Sequence, residues 1–320
     1  MREFAWIGKA GELFGARHPG VPVGIGDDCA VLDGAGPTLI SIDTVVEGVH
    51  LDRRVMSPAD MGWRALAVAL SDLAACGADP RRPISALLSL QWPDDLPDAA
   101  LDELAIGVRD CALAHGCAIV GGDTVSTPGP LALTVTVVGA TARPVLRRGA
   151  RAGEAVVVTG PFGAAAIGLA ALRAGLDGEA ARRCGEAYRR PRARLADGAA
   201  LAPLATAMID VSDGLLQDLG HLCEAGGVGA DVDLDRVPLD DATRETAARL
   251  GLDAVDAAAG AGDDYQLLAT VDPHDLPELR RALPDATVIG LMRAGAGVAA
   301  TRRGKPYEPP RRGYEHGKTV

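Results

Sequence analysis

Aromatic residues are scarce in this 320-residue chain: three Trp, four Tyr and three Phe make up 3% of it. Its core must therefore come from Ala, Val and Leu, which suits many short elements packed closely. Lysine is nearly missing too. Lys9, Lys305 and Lys318 are the only lysines among 32 basic residues, and none stands in a GxxxxGK[ST] context, so a Walker-type phosphate loop is excluded. The cysteines Cys29, Cys76, Cys111, Cys117, Cys184 and Cys223 include no CxxC pair, which is the pattern of reduced packing thiols. His18, His50, His115, His221, His274 and His316 show no HExxH or paired spacing, and there is no GxSxG elbow, which argues against zinc and against a serine nucleophile. No 18 consecutive residues are apolar, and the first 14 residues carry charges throughout with no apolar h-region. A cytoplasmic protein with no membrane contact is expected. Positive charge is in deficit, with a net charge of −11, so a nucleic-acid partner is not expected. Phosphate ligands stay open, because divalent ions reverse a local potential.

What the chain does have is length, apolar content and a recurring acid. With 320 residues, 48% of them hydrophobic, it can form two domains or one large α/β unit. Glycine-rich or hydroxyl-rich junctions carrying aspartate recur along it: Gly24-Ile25-Gly26-Asp27-Asp28, Ser41-Ile42-Asp43-Thr44, Ser71-Asp72-Leu73, Gly121-Gly122-Asp123-Thr124, Asp210-Val211-Ser212-Asp213-Gly214 and Gly260-Ala261-Gly262-Asp263-Asp264. Two carboxylates about 4 Å apart repel by roughly 4 kcal/mol at an effective dielectric near 20, so gathering several requires counter-charge. Hard carboxylate oxygens in such loops suit Mg²⁺, which binds one or two carboxylates together with substrate phosphates. Many aspartates, glycine turns and an Arg147-Arg148-Arg151 cluster fit phosphoryl transfer, where positioning and charge neutralisation dominate and no covalent intermediate is needed.

The pattern of elements supports a mixed α/β fold. Strands are expected at residues 38–42, 84–90, 117–120, 131–139, 155–159, 207–210, 230–234 and 266–271, with the acids at strand ends, where α/β folds gather ligands. Ser57-Pro58 with Asp60 signals a helix start, giving a helix over residues 58–76 that stops at Gly77. This helix is apolar on nearly every side, yet contains Asp72, which must meet a positive partner, coordinate a metal or lie at an opening in the core. Further helices are expected at 98–115, 163–174, 191–204, 215–225, 240–250 and 274–283, and the 215–225 helix would present its N-terminus to a phosphate beside Ser212. The basic stretch 140–153 reads as a boundary between domains at 1–141 and 150–320, and the tail beyond residue 307 as a segment ordered by docking.

The ordered motifs above, together with Leu70-Ser71-Asp72-Leu73-Ala74-Ala75, Gly77-Ala78-Asp79-Pro80 and Gly262-Asp263-Asp264-Tyr265, resemble the thiamine-monophosphate kinase family along about the whole chain. The resemblance implies the two-domain aminoimidazole-ribonucleotide synthetase-like fold, with an N-terminal α/β domain that pairs in a homodimer and a C-terminal α/β domain. It implies ATP-dependent phosphorylation of thiamine monophosphate by direct, Mg²⁺-assisted transfer. Carried over by position, Asp27, Ser41, Ile42 (through its backbone), Asp43, Asp72, Asp123, Asp210 and Asp213 correspond to magnesium ligands. Gly122, Asp123, Arg147 and Ser212 correspond to ATP contacts, and His50, Asp263 and Tyr314 to contacts with thiamine monophosphate. Tyr314 could equally be a tail aromatic plugging a groove. Two departures from the family pattern stand out: the stretch Ala261-Gly262-Asp263-Asp264-Tyr265-Gln266, with Asp263 and Gln266 where glutamates are usual, and Ile42 where Thr is usual. The competing readings are another ATP-using member of the same superfamily and a non-catalytic thiamine-phosphate or nucleotide binding protein.

Overall fold

The computed structural model describes residues 22–23, 27–32 and 36–314; Gly24, Ile25 and Gly26 of the opening loop lie outside them. Two sheets organise the described chain. The first contains β1 (Ala30–Leu32), β2 (Thr38–Val46), β3 (Ile84–Pro93), β4 (Cys117–Thr127) and β5 (Ala132–Ala140), in the order β1-β2-β5-β3-β4. All its neighbours are antiparallel except β3 and β4, whose parallel pairing is made through the crossover helix α2 (Asp98–His115). The second sheet has the order β12-β11-β8-β10-β6-β9-β7, built from β6 (Ala155–Val158), β7 (Ala205–Asp210), β8 (Gly229–Asp233), β9 (Leu267–Val271), β10 (Thr287–Arg293), β11 (Gly297–Arg302) and β12 (Lys305–Pro306).

Helix α1 (Pro58–Ala75) lies between the sheets, which explains its all-round apolar sequence. It packs on β2 and β5 on one side and on β7 and α5 (Leu195–Leu201) on the other. Its start is a capping box: the Asp60 N–H donates to Ser57 Oγ, and the Ser57 N–H donates to Asp60 Oδ2. Helix α2 crosses α1 with backbone nearly touching backbone. A Cβ at Gly107 would sit 1.8 Å from the Ala59 carbonyl oxygen, and one at Gly62 would sit 2.1 Å from that of Leu104. Only glycine fits at either place.

In the second half, α3 (Ala164–Arg173), α4 (Glu179–Arg189) and α7 (Asp241–Leu250) pack together. Helix α6 (Leu215–Gly226) covers the sheet with Leu215, Leu216, Leu219 and Leu222 against Val156, Ile209, Val232 and Ile289. Helices α8 (Ala254–Gly260) and α9 (Leu276–Ala282) complete the set.

Several elements differ from the sequence expectation. β2 and β4 run on to Val46 and Thr127, so Asp43 and Asp123 lie inside strands and only Asp210 closes one. The pairing with β5 and β3 continues through both acids, and this keeps the backbone extended. The helix expected over 191–204 is confined to α5, and the one expected from residue 274 is a 3₁₀ turn, Pro273–Asp275, followed by α9. Helices α4 and α8 and strands β1 and β10 to β12 have no counterpart in the sequence expectation.

Candidate active site

Strand β2 alternates across its sheet. Leu39 and Val45 are buried against α1, and Ser41 and Asp43 share that face, whereas Ile42 points the other way with 63% of its surface exposed. One turn before the end of α1, Asp72 accepts a hydrogen bond from Ser41 Oγ. Asp210 arrives at the end of β7, and Asp28 from the turn before β1. Oxygens of Asp28, Asp72 and Asp210 come within 4.8 Å of one another, and Asp27 and Asp28 make a second such group with Cys76. Acids from four distant segments therefore meet between the sheets, bordering a cavity of about 1140 Å³ that reaches the second half of the chain.

The electrostatics are those of acids in excess of their counter-charge. Burial first, then the Asp28 charge, raise Asp27 to about 6, Asp43 to about 6 and Asp210 to about 7. Burial, together with the charges of Asp43 and Asp210, holds Asp72 well above the usual carboxylate range. Arg147 is the basic residue on this group: its backbone N–H reaches both oxygens of Asp27 at 3.2 Å and its Nη2 donates to Asp28 Oδ1 at 2.6 Å. One guanidinium among so many carboxylates leaves a deficit, and Asp28 Oδ2 is buried with no hydrogen-bond partner among the described residues. The Asp28, Asp72 and Asp210 group, an all-oxygen and strongly anionic donor set, fits a hard divalent cation.

The far side of the cavity carries His50, Asp263 and Tyr314. His50 accepts the Val46 N–H on Nδ1, which places its proton on Nε2. Gly262, at φ +76°, brings the following turn so close to α6 that a Cβ there would lie 2.4 Å from the Ser212 carbonyl oxygen. The Asp263 N–H then donates to that oxygen at 2.8 Å. The tail docks here as well: the Tyr314 N–H donates to the Asp213 carbonyl at 2.9 Å, and Gln217 Nε2 bridges Asp213 Oδ2 and the Tyr314 carbonyl. At the start of α6 the N–H groups of Asp213 and Gly214 already donate to Asp218 Oδ2, so a side chain of the protein occupies these helix-terminal donors.

Of the residues singled out from sequence, Asp27, Ser41, Ile42, Asp43, His50, Asp72, Arg147, Asp210, Ser212, Asp213, Asp263 and Tyr314 all border this cavity. Gly122 and Asp123 do not. The row Thr44, Thr134, Ser89, Asp123 puts Asp123 three strands from β2, about 14 Å across the sheet at ~4.8 Å per strand. Both residues border a separate apolar hollow of about 640 Å³ between α2 and strands β3 and β4, next to Leu88, Leu101 and Val108. Sequence reasoning passed over Asp28, Asp218, His221 and Arg64. Asp28 stood in the opening motif beside Asp27. Asp213, Asp218 and His221 gather oxygen and nitrogen atoms within 4.8 Å of one another, on two successive turns of one helix and the loop before it. Arg64, 2% exposed, lies under the cavity floor, and its signal was a charge in an otherwise apolar helix.

A two-sheet chain with clustered acids at the junction defines a class, and the comparisons give the same class. The descriptions AIR synthase related protein, N-terminal domain, and AIR synthase related protein, C-terminal domain, match residues 26–141 and 151–302. Hydrogenase maturation protein HypE in complex with ATP, at 20% identity and a TM-score of 0.72 over 89% of each chain, shares the fold. More similar in sequence are the thiamine-monophosphate kinases of Escherichia coli strain K12, 37% identical over 98% of each chain, and of Caulobacter vibrioides, 34% identical over 91% of this chain and 84% of that one. Among solved structures, AaThiL complexed with AMPPCP and TMP superposes with a TM-score of 0.86 at 30% identity, covering 98% of this chain and 97% of that one. The chain belongs to the thiamine-monophosphate kinase family.

Proposed function

We propose that the chain transfers the γ-phosphate of ATP to thiamine monophosphate, giving thiamine diphosphate and ADP. A phosphate oxygen of thiamine monophosphate attacks the γ-phosphorus, the bond to the β,γ-bridging oxygen breaks, and ADP leaves with that electron pair. The observation that carries this reading is the convergence of Asp28, Asp43, Asp72 and Asp210 at one cavity, in a chain similar over its whole length to a kinase solved with AMPPCP and TMP. Asp27, Ser41, the Ile42 backbone, Asp43, Asp72, Asp210 and Asp213 would hold Mg²⁺, joined by Asp28. When bound, Mg²⁺ supplies the positive charge that lets a triphosphate and a monophosphate approach these acids.

Arg147 neutralises phosphate oxygens from the cavity wall while staying hydrogen-bonded to Asp27 and Asp28. His50, Asp263 and Tyr314 bind thiamine monophosphate, with the Tyr314 ring offering a flat face to a cationic heteroaromatic ring. No side chain serves as a covalent nucleophile.

The chain works as a cytoplasmic homodimer in this reading. The outer face of the first sheet exposes Ile42, Leu87 and Val125, and β4 is one of the sheet's two edge strands, solvent-exposed along nearly all its length. A second copy against this face covers those residues and brings Gly122 and Asp123 toward nucleotide and metal, with the apolar hollow beside them taking the base.

Incubating the purified protein with ATP, Mg²⁺ and thiamine monophosphate tests the reaction: ADP and thiamine diphosphate are expected in equal amounts. Binding of both substrates without products would favour a non-catalytic binding protein instead.

A further inference from the structure

Arg64 is the largest fully buried side chain among the described residues, and no role in phosphoryl transfer accounts for it. It projects from α1, in the first half of the chain, into groups that all belong to the second half. Nη1 donates to the Tyr188 carbonyl oxygen at 2.6 Å, and Nη2 donates to Asp263 Oδ1 in a short contact. Its guanidinium carbon stacks 4.8 Å from the Tyr188 ring centroid and 5.8 Å from that of Tyr265. The Tyr265 hydroxyl donates to the same Asp263 Oδ1 at 3.1 Å. Asp263 itself is held at φ +65°, a backbone conformation uncommon for a residue with a side chain, and a third of its side chain stays open to the cavity.

We infer that Arg64 is a positioning residue for thiamine monophosphate: it clamps one oxygen of Asp263 so that the rest of the carboxylate is presented to the cavity as a hydrogen-bond acceptor for the substrate's aminopyrimidine. A short acidic side chain has two torsions with which to miss a ligand. A buried guanidinium on one side, a tyrosine hydroxyl on the same oxygen and a fixed backbone remove that freedom. The clamp also joins the two halves of the chain at the floor of the site, so the substrate surface is complete only when they are closed on each other. Its energetic logic is that of a buried pair, where removing one partner leaves the other charge desolvated and free to turn away.

This inference rests on Asp263 contacting the thiamine substrate, and the test separates the two ideas. Steady-state kinetics of Arg64→Met, Arg64→Lys, Asp263→Asn and the double variant Arg64→Met/Asp263→Asn are compared, with a thermal melt of each. Arg64→Met is expected to raise KM for thiamine monophosphate about tenfold or more while KM for ATP and kcat move less than about twofold. Arg64→Lys, which keeps the charge but loses the fork, recovers part of that loss. The double variant shows a KM no higher than the worse single one, because both act through one carboxylate. Should Arg64→Met fold poorly, Arg64→Lys decides, with KM for the thiamine substrate still expected to rise several-fold while KM for ATP stays put. An unchanged KM in the Arg64 variants beside a raised KM in Asp263→Asn would overturn the clamp alone. An unchanged KM in Asp263→Asn would overturn the contact and the clamp together. A rise in both substrates' KM, or effects that multiply in the double variant, would show Arg64 to be a structural tie only.

Discussion

Replacing Asp72 by asparagine is expected to stabilise the metal-free protein and destroy its response to magnesium. The Asp72 carboxylate meets those of Asp28 and Asp210 within 4.8 Å, and at an effective dielectric near 20 each such pair repels by about 3.5 kcal/mol when both members are ionised. The protein evades part of this by keeping Asp72 protonated, since burial and its neighbours hold its pKa well above the usual range. A carboxyl group with a raised folded-state pKa costs no stability below about pH 4, where it is protonated folded or unfolded, and costs progressively more as pH climbs toward the folded value. The neutral amide of the Asp72→Asn variant has no such cost and retains an acceptor for Ser41 Oγ. At pH 8, without metal, the variant should therefore be the more stable by roughly 1–3 kcal/mol, a melting temperature higher by several degrees for a chain of this size. The difference should vanish near pH 4. With Mg²⁺ added the order reverses: the parent protein gains stability by mass action and the variant gains little. Thermal melts at pH 4, 6 and 8 with and without Mg²⁺ read all of this directly. A variant less stable than the parent in the absence of metal, or one whose melting temperature rises with Mg²⁺ as much as the parent's, would refute the view that these acids are gathered for a cation.

Other outcomes follow from the same geometry. Asp43→Asn should lower turnover by about 100-fold at limiting Mg²⁺, with partial recovery at high Mg²⁺, because one of the few negative ligands is lost; a magnesium titration of activity checks it. Asp210 titrates at about 7, and Asp27 and Asp43 at about 6, so below pH 7 bound metal must displace protons. The Mg²⁺ concentration for half-maximal activity should rise as pH falls from 8 to 6, and calorimetry in buffers of different ionisation enthalpy should detect more proton release at pH 6 than at pH 8. Gln217→Ala removes the bridge between Asp213 and the Tyr314 carbonyl, worth about 0.5–1.5 kcal/mol, and steady-state kinetics should show KM for thiamine monophosphate raised roughly 2- to 12-fold with a smaller change in KM for ATP. Gly107→Ala forces a methyl group into the Ala59 carbonyl oxygen and should destabilise the protein by about 1–3 kcal/mol or more in urea unfolding, whatever ligands are present.

Helix α2 was legible to the residue, and α1 nearly so, because their ends carry their own signals: Ser57 with Asp60 at one start, Gly77 and Gly116 just past the two ends. The strands bearing the acids were legible only in part. Gly121-Gly122-Asp123 has the composition of a turn, yet β4 continues through it because β3 pairs with it on both sides of the glycines. Glycine is required at 122 for a tertiary reason: a Cβ there would lie 2.1 Å from the Leu88 carbonyl oxygen. No local pattern encodes that approach. The convergence of the acids was legible as a cost, since like charges in repeated glycine turns make sense only with a cation among them. Asp123 is the exception, since a single chain leaves it three strands from β2.

Arg64 shows a limit of another kind. It and Asp72 lie eight residues apart on the same buried helix, and the reasoning that made Asp72 conspicuous applies equally to Arg64: a charge in an all-apolar run must have a partner. Eight residues span about 12 Å along a helix, too far for the two to pair with each other, so each needs a partner from elsewhere. The structure points them at different parts of the cavity, Asp72 toward other acids and Arg64 toward Asp263. Helix α1 thus carries a deficit of positive charge at one place and a neutralised pair at the other. On the proposed reaction a cation is needed where the phosphates would meet, while Asp263, proposed to face the thiamine ring, is already paired with Arg64, so recognition of the thiamine should not depend on the metal. Half-saturation by thiamine monophosphate measured by direct binding should accordingly change little in Asp43→Asn and greatly in Arg64→Met; equal losses in both would mean that one electrostatic network, and not two, underlies the site.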